Sequence, residues 1–170
     1  MKPISKKILP IVLIGLLISF NGTSQVSQLS EQEKEPIKKE ISTLVGVSIE
    51  AANQQNIEAF MKLFEKSEDF LQVKTNGSYV GYNGMEYEMN EFFKSVKSLT
   101  FVKHDEGFRF ITNTDVLYTW VGHVEGVGIK GRAWEVKDWV GTFLITKINN
   151  EWKATYLQLS ASKINVEESN

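Results

Sequence analysis

The apolar pattern of this chain changes its period near the middle. From about Ile37 to Val96, apolar residues recur every three or four positions, as they do along one face of an α-helix. From Leu99 onward the chain carries long runs of aromatic and β-branched residues, and all four tryptophans lie in this half. Helices followed by strands are typical of α+β folds. The sequence therefore predicts N-terminal helices packed on the concave face of a strongly curved, mostly antiparallel sheet, a shape that encloses a pocket.

The N-terminal residues 1–24 have the pattern of a secretory signal peptide. Three lysines precede an almost wholly apolar stretch from Ile8 to Phe20, and small residues follow it. The alternative is a membrane anchor, but a membrane-spanning helix needs about 20 apolar residues and this stretch is shorter. We therefore expect cleavage near Ser24/Gln25, export to the periplasm or the exterior, and no stable membrane span afterwards.

Composition excludes several classes of protein. The chain contains no cysteine, so disulfides and a lipid-modified N-terminal cysteine are impossible. Loss of residues 1–24 removes three lysines and no acid, so 16 of the 19 basic residues remain against 21 acidic ones, a net charge of −5. With this charge, and with no basic run interleaved with aromatic residues, we expect no binding to nucleic acid or to an anionic membrane.

The remainder of the chain is expected to form one domain. Residues 25–34 are polar and predict a flexible leader, and residues 35–162 form the folded domain. Residues 163–170 are a polar tail that we expect to fray. No repeat and no internal linker divides the domain.

Local signals place the helices. A first helix is expected over about Glu33 to Gln54, with Gly46 inside it at a point where another element packs closely. Asn56 is a candidate N-cap for a short second helix. Asn83, followed three residues later by Glu86, resembles a capping box that opens a third helix.

Turn signals place the strands. Asn76-Gly77 predicts a hairpin turn between two short strands, because this dipeptide accepts the positive φ of a type I′ turn. Three or four long strands follow from about Thr100, the first with a bulge or bend at residues 104–107. The glycine-rich segment 126–131 lacks the residues of a phosphate-binding loop and predicts a flexible hairpin connection at the rim of the pocket. Asn149-Asn150 connects the last two strands.

Three segments together resemble one protein family. They are Ile49–Phe60 followed by Leu63-Phe64, Gly81–Gly84 before the third helix, and Asn150–Ser160 as a final hairpin. In this order and spacing they are similar to SnoaL-like domains of the nuclear transport factor 2-like superfamily, which includes ketosteroid isomerase. The resemblance covers about residues 35–162 and implies three helices on a bent sheet around a small-molecule pocket, often in a dimer. Functions in the superfamily range from isomerisation and dehydration to ligand binding and assembly, so the fold does not settle the function.

The resemblance also locates the catalytic groups of the isomerase branch, which uses a carboxylate base, a tyrosine and a protonated carboxylic acid. In this chain the tyrosine position is Ser48, the base position falls between Gln72 and Lys74, and the acid position is Thr142. None of these residues retains the chemistry, although Ser48 and Thr142 remain hydrogen-bond donors. We therefore do not expect the isomerase mechanism.

Asp138 is one candidate for a different general base. It lies two alternations before Thr142, so both side chains are expected on the same inward face of their strand. A carboxylate held in an apolar cone is a potential base. The alternative, which we favour, places Asp138 at the solvated rim in a pair with Arg132 or a lysine.

His123 is the second candidate. His123 and Glu125 alternate along one strand, so both face the same side, where they would suit an acid–base pair or two ligands of a metal ion. A metal site needs a third ligand, and the sequence offers none nearby, so we expect no metal and no cofactor. His104 is expected to lie in a solvated bend.

The strands also supply the expected pocket wall and a subunit interface. The strand face that carries Tyr118 and Trp120 is either pocket wall or dimer surface. The following strand is apolar on both faces, which favours helices on one side and a second subunit on the other, and hence a homodimer. The full set of expected pocket residues is Ser48, Phe60, Phe93, Tyr118, Trp120, Asp138, Val140, Thr142 and Leu157.

These observations favour an exported protein that binds a small, mostly apolar molecule in its cone. Two alternatives remain open. One is a lyase- or isomerase-type enzyme with Asp138 or His123 as its base, and the other is a non-catalytic dimeric module for protein interaction.

Overall fold

The structure is a computed structural model that describes residues 29–162 and the backbone of residues 165–166. The expected signal peptide, the start of the expected leader and most of the expected tail lie outside the described residues. Within the described part, no helix is long and apolar enough to cross a membrane.

The first helix, α1 (Glu31–Asn53), begins before the position that the sequence pattern indicates. Ser30 explains this start, because it forms a capping box. Its Oγ accepts a hydrogen bond from the Glu33 N–H at 3.4 Å, and the Glu33 carboxylate accepts one from the Ser30 N–H at 2.8 Å. Residues 31–34, expected to belong to the flexible leader, are therefore helical. The buried side of α1 consists of Ile41, Val45, Ser48, Ala51 and Ala52.

A short helix, α2 (Ile57–Met61), follows α1 directly. The Asn56 side chain accepts a hydrogen bond from the Ala59 N–H at 3.0 Å, which confirms the predicted N-cap. Phe60 and Met61 are buried, so this single turn of helix is held by its contacts with the core.

The third helix, α3 (Tyr82–Ser95), does not begin as expected. The predicted capping box of Asn83 and Glu86 is wrong, because the preceding strand ends at Val80 and the helix starts immediately after it. Gly81 is the N-cap, and no side chain caps the helix. Asn83 thus lies inside the first turn, where its side chain cannot serve as the cap.

A curved sheet carries the rest of the fold. Its strands are β1 (Leu71–Val73), β2 (Tyr79–Val80), β3 (Val96–Phe110), β4 (Asp115–Gly128), β5 (Ala133–Ile148), β6 (Glu151–Ala161) and β7 (Asn165–Val166). The strand order is β2-β1-β6-β5-β4-β3, and β7, in the segment expected to fray, pairs with the start of β5. Among the described strands, the β1–β6 pairing is parallel and the others are antiparallel. The predicted α+β class is confirmed.

Two predicted hairpin turns are present. Between β1 and β2 the turn is not the predicted type I′, because Gly77 has a positive φ of 82° and Asn76 does not. Asn149 and Asn150 have φ of 50° and 70° between β5 and β6, the left-handed pair that a type I′ turn requires.

β-Bulges bend the long strands. β3 carries one at His104, β5 carries one at residues 137–138, and β6 carries one at Thr155. Each extra residue bends its strand and increases the local twist. The predicted irregularity at residues 104–107 is thus a bulge within one continuous strand. The sequence pattern does not predict the bulge in β5, which reverses the set of side chains that faces the helices.

The concave face of the sheet, which is the face turned towards the helices, combines tryptophan rings with glycines. On β4, a Cβ added at Gly122 would overlap the Val102 carbonyl oxygen and the ring of Trp120. On the same strand, a Cβ added at Gly126 would lie 2.6 Å from the ring of Trp134. The glycines therefore make room for large rings on the inside of a tightly bent sheet, where side chains crowd one another.

Replacing Gly122 by Ala tests this packing. We expect Gly122→Ala to lower the free energy of unfolding by about 1–3 kcal/mol, because the added methyl group displaces the Trp120 ring or the neighbouring strand. Urea denaturation measures the change.

Gly46→Ala is the matched control. Our expectation of close packing at Gly46 is wrong, since no atom of the described residues beyond its chain neighbours and the adjacent backbone of α1 lies within 4 Å of the added Cβ. The free energy of unfolding of this variant should be higher by about 0.5–1 kcal/mol, because alanine is more stable than glycine in the interior of a helix. Equal effects of the two substitutions would contradict the packing described for the concave face.

Candidate ligand-binding site

A cavity of about 650 Å³ lies between the helices and the concave face of the sheet. Its wall is almost wholly apolar. The helices contribute Val45, Ile49, Phe60, Met85, Met89 and Phe92, and the long strands contribute Phe101, Val124, Trp134, Val136, Trp139, Phe143, Leu157 and Leu159. Sites that enclose small molecules usually have volumes of roughly 300–1,000 Å³. The cavity therefore has the size and the lining of a site for a small apolar molecule.

Simple periodicities bring these side chains together. In α1, residues 45, 48 and 49 are spaced by three and four positions and so lie on one helix face. In the sheet, Val124 and Val136 are direct partners across β4 and β5, and the wall residues of each strand alternate with residues of the other face. The helices and the inward half of each strand thus form one continuous wall.

Four polar side chains reach this wall: Ser48, Gln72, Thr75 and Arg132. The Ser48 hydroxyl donates to the Phe60 carbonyl oxygen at 3.0 Å, so its hydrogen is already engaged. Gln72 is buried, whereas Arg132 is exposed at the end of the glycine-rich connection, which places it at the mouth of the cavity. No carboxylate, imidazole or thiol is among the wall residues in the described part of the chain.

Some of the predicted pocket residues lie on this wall and others in the core beside it. Ser48, Phe60 and Leu157 are wall residues. Phe93 is buried outside the wall, where its ring packs edge-on against Phe60 with ring centroids 5.8 Å apart.

Tyr118 and Trp120 face the concave side of the sheet, but they lie beyond the cavity. The Trp120 ring packs against Phe101, with centroids 6.1 Å apart. The Tyr118 ring packs against Phe108 and Phe143, with centroids 5.1 and 5.9 Å away. Both rings are nearly inaccessible to solvent. They therefore support the wall from the adjoining core instead of forming it.

The expectation that Asp138 and Thr142 face the pocket is wrong. Both lie, with Val140, on the outer face of the sheet, which is the face turned away from the helices. Trp139 and Phe143 point inward, so the residues that alternate with them point outward. The resemblance sets Thr142 one residue away from an inward position, and Asp138, placed by alternation from Thr142, has the same offset. Asp138 is exposed to solvent, as the alternative of a solvated rim predicts.

His123 also lies on the outer face, where it bonds to the second histidine of the chain. Its Nδ1 is 2.8 Å from Nε2 of His104. His104, expected in a solvated bend, occupies the β3 bulge directly beside this strand. Neither imidazole touches the cavity wall. Within the described residues, no group of three or more histidine, cysteine or carboxylate side chains could hold a metal ion.

A polar cluster under α1 was not predicted. The Glu106 carboxylate accepts hydrogen bonds from Ser42 at 2.8 Å, Tyr118 at 2.8 Å and Lys103 at 3.0 Å. Burial raises the pKa of Glu106, but these hydrogen bonds outweigh burial and hold its pKa below the usual value. Burial, and then the nearby Glu106 carboxylate, raise the pKa of Tyr118 far above its usual value. The neutral Tyr118 thus donates to an ionised Glu106 and ties the sheet to α1 away from the cavity.

Gln72 lines the cavity but was not among the expected pocket residues. The alternation of buried side chains in this segment, Phe70 and then Gln72, was the available signal that Gln72 points inward. Trp134 and Val136 were also absent from the expected pocket residues, and the unpredicted bulge in β5 is what lets them share the inward face with Trp139 and Phe143.

Comparison with known proteins shows similarity in structure alone. No protein-family model matches the chain, and no curated protein matches its sequence. Solved structures share its fold. A candidate scytalone dehydratase from Novosphingobium aromaticivorans superposes with a TM-score of 0.73 at 11% identity, over 83% of this chain and 94% of that one.

Two further structures agree with this result. A hexachlorocyclohexane dehydrochlorinase, LinA-type3 from Novosphingobium barchaimii, gives a TM-score of 0.69 at 11% identity, over 81% of this chain and 94% of that one. A nuclear transport factor 2-like superfamily protein from Salmonella enterica gives a TM-score of 0.69 at 13% identity, over 76% of this chain and 94% of that one. The expected cone fold is confirmed, and it is the fold of these nuclear transport factor 2-like structures. At sequence identities this low, a shared fold does not indicate a shared function.

Glu106→Gln tests the role of the polar cluster. We expect this variant to lose about 1–3 kcal/mol of stability at pH 7, because charge-assisted hydrogen bonds to three donors are weakened. The pKa of Glu106 is lowered in the folded state, so its stabilisation is complete above the pKa of the unfolded chain and is lost as pH falls through the folded value. The stability gap between wild type and variant should therefore close between neutral and strongly acid pH in urea titrations.

Glu125→Gln, at an exposed position on the outer face, is the control and should change stability little at any pH. A gap for Glu106→Gln that stays constant from neutral to acid pH would contradict an ionised, hydrogen-bonded Glu106.

Proposed function

We propose that this nuclear transport factor 2-like cone is a binding protein whose cavity holds a small, mostly apolar molecule. The observation that carries the proposal is the cavity itself, with its volume of about 650 Å³ and its apolar wall. Transfer of apolar ligand surface from water into such a wall contributes about 25 cal/mol per Å². A molecule of modest size therefore gains enough from burial to offset the free energy lost when its motion is restricted.

The chemistry of the wall supports binding over acid–base catalysis. Proton transfer needs a titratable side chain within hydrogen-bond reach of the substrate, directly or through one water. Arg132 is the one ionisable wall residue within the described part of the chain, and an arginine remains protonated. A molecule in the cavity is thus surrounded by groups that hold it and do not exchange protons with it.

A lyase- or isomerase-type enzyme is the second candidate, and the neighbours described as a dehydrochlorinase and a candidate dehydratase are the reason to retain it. The geometry is unfavourable to this candidate. Asp138 and His123, its proposed bases, lie on the outer face, so the thickness of the sheet separates them from the cavity.

We also propose that a second copy of the chain covers the outer face. This face carries a row of half-buried apolar side chains: Val102, Leu117, Val121, Val140 and Leu144. Leu117 pairs with Leu144 and Val121 pairs with Val140 across β4 and β5, and Val102 lies on the edge strand β3. Together these side chains offer an apolar surface, which is typical of homodimer interfaces. The remaining alternative, a module for interaction with other proteins, would use the same surface.

We further propose that the protein acts outside the cytoplasm after removal of its N-terminal segment. The support is the basic and then apolar pattern of residues 1–24.

Mass spectrometry of the protein recovered from the cells that make it tests export and dimerisation together. Under denaturing conditions we expect the mass of a chain that begins at Gln25, because the signal peptidase has acted. Under native conditions we expect twice that mass, because the outer faces are paired. A chain that keeps Met1 would contradict export, and a monomer at micromolar concentration would contradict the dimer.

Blocking the cavity tests the binding function. We expect the uncharged fluorophore N-phenyl-1-naphthylamine to bind the wild-type protein with enhanced emission, because its rings suit an apolar wall. Val124→Phe places a benzyl group in the cavity and should weaken this binding at least about tenfold, without loss of the folded state.

Val127→Phe is the matched control, since it makes the same change three residues later on the outer face of β4, at a position outside the apolar row proposed for the dimer. Its affinity for the fluorophore should equal that of the wild type. Equal weakening by both substitutions, or no binding by the wild type, would contradict a ligand site inside the cone.

A further inference from the structure

Gln72 is the one polar side chain held deep in the cavity wall whose hydrogen-bonding capacity the described residues leave unused. It is the middle residue of β1, and 5% of its surface is exposed. Val80 is its partner on one side and Leu157 on the other, so the backbone on both sides is fixed in the sheet. The side chain consequently has one direction available, towards the cavity that it lines.

The carboxamide of Gln72 makes no hydrogen bond to any residue within 29–162, although it offers two N–H donors and one carbonyl acceptor. In the same residues, no fully enclosed side-chain nitrogen or oxygen lacks a partner. The polar atoms of Gln72 are therefore open to the cavity and not sealed in the core. A buried carboxamide without a partner is costly to the folded state, so its position is explained if an occupant of the cavity supplies the partner.

The surroundings of Gln72 define the chemistry of that partner. The hydrogen of the Ser48 hydroxyl is engaged by the Phe60 carbonyl oxygen at 3.0 Å, and Thr75 is exposed. The indole groups of Trp134 and Trp139 offer a donor and no acceptor, which leaves Gln72 as the buried wall residue that offers both. Arg132, the charged wall residue, is exposed at the mouth. An ionised ligand group beside Gln72 would be desolvated without a counter-charge, which is strongly unfavourable. A neutral oxygen fits this position instead.

We infer that the cavity takes an uncharged, mostly apolar molecule that carries a carbonyl or hydroxyl oxygen, and that this oxygen hydrogen-bonds to the carboxamide of Gln72. The inference rests on the proposed binding function and adds the chemical class of the ligand. Gln72 then selects among apolar molecules, because those without an oxygen leave its carboxamide without a partner.

Two variants and two probes test the inference. Gln72→Leu removes the carboxamide, and Gln158→Leu makes the same change at an exposed position of β6. Cyclododecanone and cyclododecane are matched in shape and differ in one carbonyl oxygen. Displacement of bound N-phenyl-1-naphthylamine gives the affinity of each probe for each protein, and comparison of the same probe between proteins removes differences in solubility.

We expect Gln72→Leu to weaken the binding of cyclododecanone about tenfold. This change corresponds to the loss of one hydrogen bond of about 1.4 kcal/mol. Cyclododecane should bind this variant as well as it binds the wild type, or more tightly. Gln158→Leu should change neither affinity.

Thermal unfolding without ligand provides an independent readout. We expect Gln72→Leu to raise the melting temperature by a few degrees, because an apolar side chain replaces a buried carboxamide that no residue within 29–162 hydrogen-bonds. A glutamine with a purely structural role would instead lower the melting temperature when it is replaced.

The possible failures are distinct. If Gln72→Leu weakens the binding of the ketone and of the hydrocarbon equally, or leaves both affinities unchanged, the inference about Gln72 is wrong while the binding function stands. The inference is also wrong if dodecanoate binds more tightly than the ketone and depends on Arg132, since recognition would then be of a charge at the mouth. If neither cyclic probe displaces the fluorophore and the fluorophore itself does not bind, the proposed function fails.

Discussion

The packing of tryptophan rings against glycines on the concave face is the contact on which the rest of the structure depends. A sheet as bent as this one brings its inward side chains close together, and full-sized residues at every inward position would not fit. Because Gly122 and Gly126 have no side chain, the rings of Trp120 and Trp134 occupy the space beside them. The β-bulges supply the extra residues that let the long strands bend. The bent sheet and three helices then enclose more volume than their side chains fill, and the cavity is the result.

The chemistry of the cavity follows from the same arrangement. Because the inward half of each strand supplies aromatic and aliphatic residues, ionisable groups collect on the outer face, at the mouth or in the cluster around Glu106. The resemblance to the isomerase branch assigns the catalytic base to the segment from Gln72 to Lys74. The structure turns Gln72 towards the cavity there. A carboxamide cannot accept a proton as a carboxylate does, but it can hold a ligand oxygen in place.

Most of the fold could be predicted from the sequence, because periodicity, the Asn56 cap and the asparagine turns are local signals. The α+β order, the bulge near His104 and the hairpin at Asn149-Asn150 all follow from them. The residues of the cavity wall were harder to predict, because one residue inserted into β5 reverses the alternation of inward and outward side chains that follows it. The error for Asp138 and Thr142 has a different cause, because the resemblance sets Thr142 one residue away from an inward position and alternation gives Asp138 the same offset. Side-chain partners across the sheet, such as Glu106 with Tyr118, depend on register between distant segments and have no local signal.

The proposed ligand site lies inside a hollow cone. Nuclear Overhauser effects between unlabelled cyclododecanone and ¹³C-labelled methyl groups of the protein give the location of the bound ligand. We expect contacts from the ligand to the methyl groups of Val124 and Leu157 on the cavity wall, and none to those of Leu117 and Leu144 on the outer face. Contacts confined to the outer-face methyl groups, or no contacts at a saturating concentration of ligand, would contradict this location of the ligand.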